Sequence, residues 1–415
     1  MSVMAPIKTI SDGLQFYYDT GNTKSYVGEP TTNIWSIQAG VSINDYNGWG
    51  MPNAGTAVIT STVVTNYGSW NGNRIWLVSV GSGTLVSYGS WRLCVDQPTA
   101  GSAYSSTRKL AAKIRMLTGS ITNIGLHSGG GTGGYNGLDF TSILEKNVPL
   151  DCAIKDGWTQ MLSGADWSST TVAHCVGIGL NNSGPYSFLV TEPMYYPSNR
   201  LVNFTPTSRS NTQGLLDLTR NNTIDLTNTK FDVNSLVDFP ISASANSYIT
   251  TNTNCNLTGD QTLTAWIKPT YGTASPHRTV ICTDKNYQYG IKLMNYKNTA
   301  RWGLWLGWGS SNYEALISSN INDNTWKMIT GTWKQSTGIV NLYLNGQYVT
   351  QFSTGNTSAI SLSTGYIWVG MGYELDFGNG QSYEGKIDSA AIYSRVLTDS
   401  EILQNYNSIK SRFGL

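Results

Sequence analysis

The closing segment, GKIDSAAIYSRVLTDSEILQNYNSIKSRFGL from Gly385 to Leu415, joins a strand to a helix that cannot stand alone. Lys386 to Tyr393 reads as a β run. Arg395-Val396-Leu397 then leads into a helix start: Thr398 can cap the first turn, Glu401 completes a capping box, and Leu397 staples against Ile402. Ile402, Tyr406 and Ile409 fall on one helical face, and Gly414 sits near the end. So short a helix is marginal by itself and must lie on something larger.

Composition says what that larger body is. With 44 Gly, an aromatic content of 11% and many Asn, Ser and Thr, the chain suits short strands joined by tight turns, an all-β class. Its 415 residues allow two domains. Basic and acidic residues balance at 26 against 25, so no basic face for nucleic acid is expected. Cys94, Cys152, Cys175, Cys255 and Cys282 are odd in number, widely spaced and free of CxxC pairs, which predicts a reducing compartment and no zinc site. The start, MSVMAPIKTISDGLQ, lacks the pattern of a secretory signal, and no window has the length of a membrane span.

Strand patterns recur along the chain. TAVITSTVVTNYGSW is rich in β-branched residues, and RIWLVSV alternates before a Gly-Ser-Gly turn. In Lys109 to Leu117 the set Leu110, Ala112, Ile114 and Met116 is uniformly apolar, which predicts a strand rather than a helix. His127 to Gly137, HSGGGTGGYNG, reads as a surface loop and carries no G-K-[ST] for phosphate. Leu263, Ala265 and Ile267 oppose Thr262, Thr264 and Trp266; Trp302, Leu304, Leu306 and Trp308 share one side of RWGLWLGW. Asn345-Gly346 marks a hairpin within VNLYLNGQYV.

The closing pattern G-x-I-D, I-Y-x-R-x-L, [ST]-x-x-E-I and N-Y-N with R-F-G-L resembles the end of laminin-G-like, concanavalin-A-like sandwich domains, and most closely those of tailed-bacteriophage structural proteins. DGLQFYYDTGNTKSY, residues 12 to 26, resembles the first strand of the same family. The segment that normally follows it appears only at Gly214 to Asp232, GLLDLTRNNTIDLTNTKFD. That displacement implies an insertion. The resemblance therefore implies two β-sandwich (jelly-roll) domains, one of them a discontinuous concanavalin-A-like domain closed by a short C-terminal helix. Its first strand region would be 1–29 and its remainder 207–415. Residues 30–206, with Gly157-Trp158-Thr159 and Glu192-Pro193, resemble an inserted galactose-binding-like sandwich.

What the resemblance implies about function is a phage virion structural protein on the capsid or tail surface, assembled in the host cytoplasm. Its partners would be other virion proteins and host-surface polysaccharide, with self-association left open and neither nucleic acid nor membrane insertion expected. The alternative is a glycan-binding accessory module or a glycan-degrading enzyme of the same fold. Against the enzyme, Glu374 and Asp376 in YELDFGNG lack the second carboxylate that a retaining glycosidase strand needs, since Gly378 and Asn379 follow. His127, His174 and His277 lie far apart in sequence and no nucleophile elbow is present, so no catalytic residue is assigned. No cofactor is expected. A structural calcium ion stays open through Asp19, Asp217 and Asp388, whose other reading is turn capping. Trp266, Trp302, Trp326, Trp333 and Trp368 are assigned to the core; Trp70, Trp91, Tyr135 and Trp167, beside Gly, Ser and Asn, are the candidate sugar-stacking residues.

Overall fold

The computed structural model describes residues 9–22, 24–32, 59–64, 66, 75–83, 109–120, 124–130, 138–139, 157–162, 174–180, 184–196, 205, 208–231, 237–239, 247–270, 278–286, 288–295, 301–318, 321, 323–372 and 381–415. The chain divides into two compact units. One comprises Met1–Val27, Asn211–Asp232 and Leu236–Leu415; the other comprises Gly28–Ser210 with Val233–Ser235.

The first unit is a sandwich of two antiparallel sheets. One sheet runs in the order Lys230–Phe231, Val237–Phe239, Gly385–Tyr393, Gln261–Pro269, Lys327–Lys334, Ile339–Leu344, Gln347–Ser353, and Leu14–Asp19 also pairs with Gly385–Tyr393. The opposite sheet runs Ile224–Asp225, Ile249–Thr251, Trp368–Val369, Thr279–Cys282, Tyr289–Asn295, Arg301–Trp308, Asn312–Ser318. Side chains of one parity from each sheet meet between them. Leu263, Ala265 and Ile267 pack there with Ile281, Leu293, Trp302, Leu304, Leu306 and Val369. Residues that follow a strict two-residue period thus bury one face of each sheet. Asn345 and Gly346 both take positive φ, 52° and 77°, which is the backbone a tight two-residue hairpin requires.

The discontinuity is closed by pairing. Leu14–Asp19 lies antiparallel to Gly385–Tyr393, from Leu14 opposite Tyr393 to Asp19 opposite Ser389, and places Phe16 and Tyr18 in the core. Gly214 to Leu218 returns beside the same early segment: Val27 N donates to Gly214 O, Leu216 N to Ser25 O and Leu218 N to Tyr17 O.

The helix Asp399–Ile409 begins as its sequence dictates. Thr398 Oγ1 accepts from Glu401 N, and Glu401 Oε2 accepts from Thr398 N at 2.8 Å. Leu397 and Ile402 sit in one cluster with Tyr17, Trp266, Met328, Tyr343, Ala391, Tyr393 and Ile409, on the outward side of the first sheet. Tyr406 stacks on Trp266 with ring centroids 5.4 Å apart, and Trp266, Phe413 and Trp326 continue the stack at 4.7 and 4.3 Å. The helix therefore seals that sheet. Trp266, Trp302 and Trp333 are buried, but Trp266 lies under the helix rather than between the sheets. Trp326 and Trp368 are only half-buried, which corrects their assignment to the core.

The second unit contains a five-stranded sheet, Ile59–Val63, Trp76–Gly83, Gly184–Tyr196, Lys109–Thr118, Thr159–Leu162, and a three-stranded one, Leu138–Asp139, Ile124–Gly130, His174–Leu180. Lys109–Thr118 is a strand, as its alternation predicts. Two glycine readings are corrected. The expected turn at Gly81-Ser82-Gly83 is strand: Gly184 packs so closely that a Cβ there would lie 2.1 Å from Gly81 O, so glycine serves backbone approach rather than a turn. The expected loop from His127 begins as strand, because His127 to Gly130 pair with His174 to Gly177. His127 and His174, distant in sequence, thus stand on neighbouring strands.

Candidate functional site

Trp70, Trp91, Tyr135 and Trp167 lie outside the described residues, as do Glu374, Asp376 and His277. The three aspartates do not converge on one point. Asp19 and Asp388 share the Arg412 guanidinium: Nη1 donates to Asp19 Oδ1 at 2.6 Å and to Asp388 Oδ2 at 2.5 Å, and Nη2 to Asp19 Oδ2 at 3.0 Å. Asp388 also accepts from Thr20 Oγ1 at 2.9 Å. Burial pushes its carboxyl up to about 6, against the pull of Arg412. Asp217 stands apart. Its Oδ1 accepts from Tyr17 N and Thr219 N, and its Oδ2 from Thr219 Oγ1, Asn222 N and Asn222 Nδ2. Among the described residues no three His, Cys, Asp or Glu side chains are grouped to hold a metal ion. A protein cation occupies the point where two of these carboxylates meet.

Glu384, the next acid after the YELDFGNG stretch, is buried and held by Arg278 at 2.8 Å. A carboxylate clamped in this way is poorly placed to shuttle protons. Cys255 and Cys282 are free thiols, pushed up to about 11 and about 12 by burial, which makes them poor nucleophiles.

The outward side of the opposite sheet has a different character. Because Ile249, Ile281, Leu293, Leu304, Ala315 and Val369 point into the core, their neighbours in sequence point outward. Strand register then aligns Asp225, Thr250, Trp368, Cys282, Lys292, Trp305 and Glu314 in one row across all seven strands. The middle is covered: Cys282, Lys292 and Trp305 are buried. Lys292 Nζ donates to Asn286 O at 2.8 Å and Tyr289 O at 2.6 Å, which holds the backbone at Asn286 and Tyr289 over the sheet. Burial lowers this ammonium to about 8.

The end of the row beyond Cys282 stays accessible. Trp368 and Tyr248 are half-buried with centroids 5.0 Å apart at an interplanar angle of 42°. Tyr366, two residues before Trp368 on the same side, is 37% exposed. Lys285 Nζ sits 4.3 Å from the Trp368 ring centroid. Asp225 closes the far side; burial and this carboxylate together raise the Tyr248 phenol. Asp225 is itself fixed by Thr227, whose N and Oγ1 donate to Oδ1 at 2.8 and 2.6 Å. Two contacting aromatic rings, with exposed Tyr366 two residues from one of them and an ammonium, a carboxylate and hydroxyls around them, can take a ring-shaped polar ligand by stacking and hydrogen bonding. The sequence signal for this patch was Tyr366-Ile367-Trp368-Val369, once Ile367 and Val369 are known to be the inward pair.

Residues 243–403 match the model of the concanavalin A-like lectin/glucanases superfamily, and the sandwich has the concanavalin A-like, laminin-G-like fold. No curated protein matches the chain. Among solved structures, one describes cell entry of botulinum neurotoxin type C as dependent upon two ganglioside molecules. It shares 17% identity over 48% of this chain and 50% of its own, with a TM-score of 0.38. The botulinum neurotoxin serotype D ligand-binding domain in complex with N-acetylneuraminic acid shares 19% identity over 48% and 49%, with a TM-score of 0.36. A native heptameric SAP-like pentraxin from Limulus polyphemus shares 17% over 40% and 78%, with a TM-score of 0.32. The chain spans about half the length of the neurotoxin chains it matches.

Proposed function

We propose that the sandwich is a glycan-binding module without catalytic activity, and that Tyr248, Tyr366 and Trp368 form its sugar platform. The observation that carries this reading is the accessible aromatic cluster on the outward face, on a sandwich whose matching superfamily is described by lectins and glucanases. Sugar rings present C–H faces that pack on an indole or phenol, while their hydroxyls seek polar rims such as Thr250, Asn286 and Asp225. A glycan array compared between the wild type and Trp368→Ala tests it. Binding that disappears in the folded variant supports the platform, and binding of equal strength in both removes it. Incubation with bacterial exopolysaccharide tests the absence of catalysis, since newly formed reducing ends would make this an enzyme.

The setting in which such a module would work is drawn from the closing and opening segments, whose patterns resemble those of tailed-phage structural proteins. On that basis we propose mounting on the capsid or tail surface, where many copies amplify weak single sites. Mass spectrometry of purified particles decides it: absence of the protein ends the virion reading and leaves the glycan reading intact.

A further inference from the structure

We infer that the Tyr248–Trp368 platform selects acidic glycans, with the ligand's carboxylate placed at Lys285; this rests on the glycan reading above. Lys285 is half-buried, and its ammonium is held over the Trp368 ring at 4.3 Å. Among the described residues it forms no ion pair. The nearby acid on its own turn, Asp284, is unavailable to it: fully buried, its Oδ2 accepts from Ser363 N, Thr364 N and Gly365 N at 2.6, 2.7 and 3.0 Å. Those three amides hold the Asp284 carboxylate inside the turn, so it forms no ion pair with Lys285, whose ammonium stays over the Trp368 ring.

The other charge at the rim gives the ligand a direction. Asp225 lies on the Tyr248 side, across the platform from Lys285, and repels an anionic group there. A sugar acid that stacks on the rings is therefore oriented with its carboxylate over the Trp368 edge of the patch and its hydroxyls toward Asp225 and Thr250. An ammonium resting on an indole retains its hydrogen-bond donors on the side away from the ring. A carboxylate can approach without displacing the cation from its seat. Neutral glycans would use the rings alone and bind more weakly.

The probes that separate these cases share a backbone and differ in charge: polygalacturonate and its fully methyl-esterified form, with sialyllactose and its methyl ester as a second pair. Binding is measured by calorimetry on the full chain at low and at physiological salt. The acidic member of each pair should bind about tenfold more tightly, the size of one charge-assisted contact, and the gap should narrow with salt. Lys285→Met keeps the aliphatic stem over the indole and should erase the gap between acidic and neutral members; Lys285→Glu should reverse it. Thermal melting of each variant verifies folding. Equal binding of charged and neutral members, or a preference that survives Lys285→Met, overturns the inference and leaves the glycan reading standing. Failure of all four probes and of a wider array to bind overturns both.

Discussion

Trp266 and Trp368 occupy equivalent kinds of position, each on the outward side of its own sheet, yet one is 2% exposed and the other is half-buried. The difference is the helix. Asp399–Ile409 and the turn after it lay Tyr406 and Phe413 on Trp266, and the space left between helix and sheet holds only about 20 Å³, room for about one water molecule. On the opposite sheet the turn carrying Asn286 and Tyr289 covers Lys292 but reaches Trp368 only through the Lys285 side chain. An aromatic residue on an outward strand position is thus structural or available according to what the chain lays over it. Residue type alone does not decide.

Mutations should separate the two faces by stability. Trp266→Ala should cost about 3–5 kcal/mol in urea unfolding, the range for a buried Trp, whereas a loss below about 1 kcal/mol would mean the helix does not seal that face. Arg412→Ala leaves Asp19 and Asp388 facing each other without their shared cation. It should cost about 2 kcal/mol, discounted because the guanidinium is a third exposed. Thr398→Ala should cost about 1 kcal/mol by removing the cap, read as a lowered melting temperature. Trp368→Ala, on the accessible face, should change stability by less than about 1 kcal/mol. A larger loss would make it a structural residue and count against the platform.

Acid titration sharpens the same contrast. The Asp388 carboxyl is raised in the fold, so its protonated form is the favoured one. That contribution is complete below the ordinary carboxylate value near 4 and is lost as pH rises through about 6. Asp388→Asn should flatten the stability profile across that window. A profile identical to that of the wild type would show that Arg412 keeps the carboxyl ionised throughout.

The sequence was readable where interactions are local or periodic. Thr398, Glu401 and Ile402 lie within one turn, Asn345-Gly346 within one hairpin, and Leu263, Ala265 and Ile267 at a two-residue spacing. Trp368 was misread because YIWVG is apolar at both parities, so alternation cannot choose which set faces inward. Asp19 and Asp388 stood out as carboxylates that want a cation, but the cation, Arg412, lies 393 residues from Asp19 along the chain. Lys285 over Trp368 is equally non-local. Site chemistry here depends on long-range pairing, which spacing does not encode.

The pairing of Leu14–Asp19 with Gly385–Tyr393 also sets a timetable for biosynthesis. At elongation rates of roughly 5–20 residues per second, the first strand waits on the order of tens of seconds for its partner to be translated. Through that interval the strand has only its contacts with Asp217 and Leu218, while the second unit, 28–210 with 233–235, is already complete and free to fold. Nascent chains arrested before Gly385 should therefore expose Leu14–Asp19 to chaperones or proteases, and release of the finished chain should withdraw it.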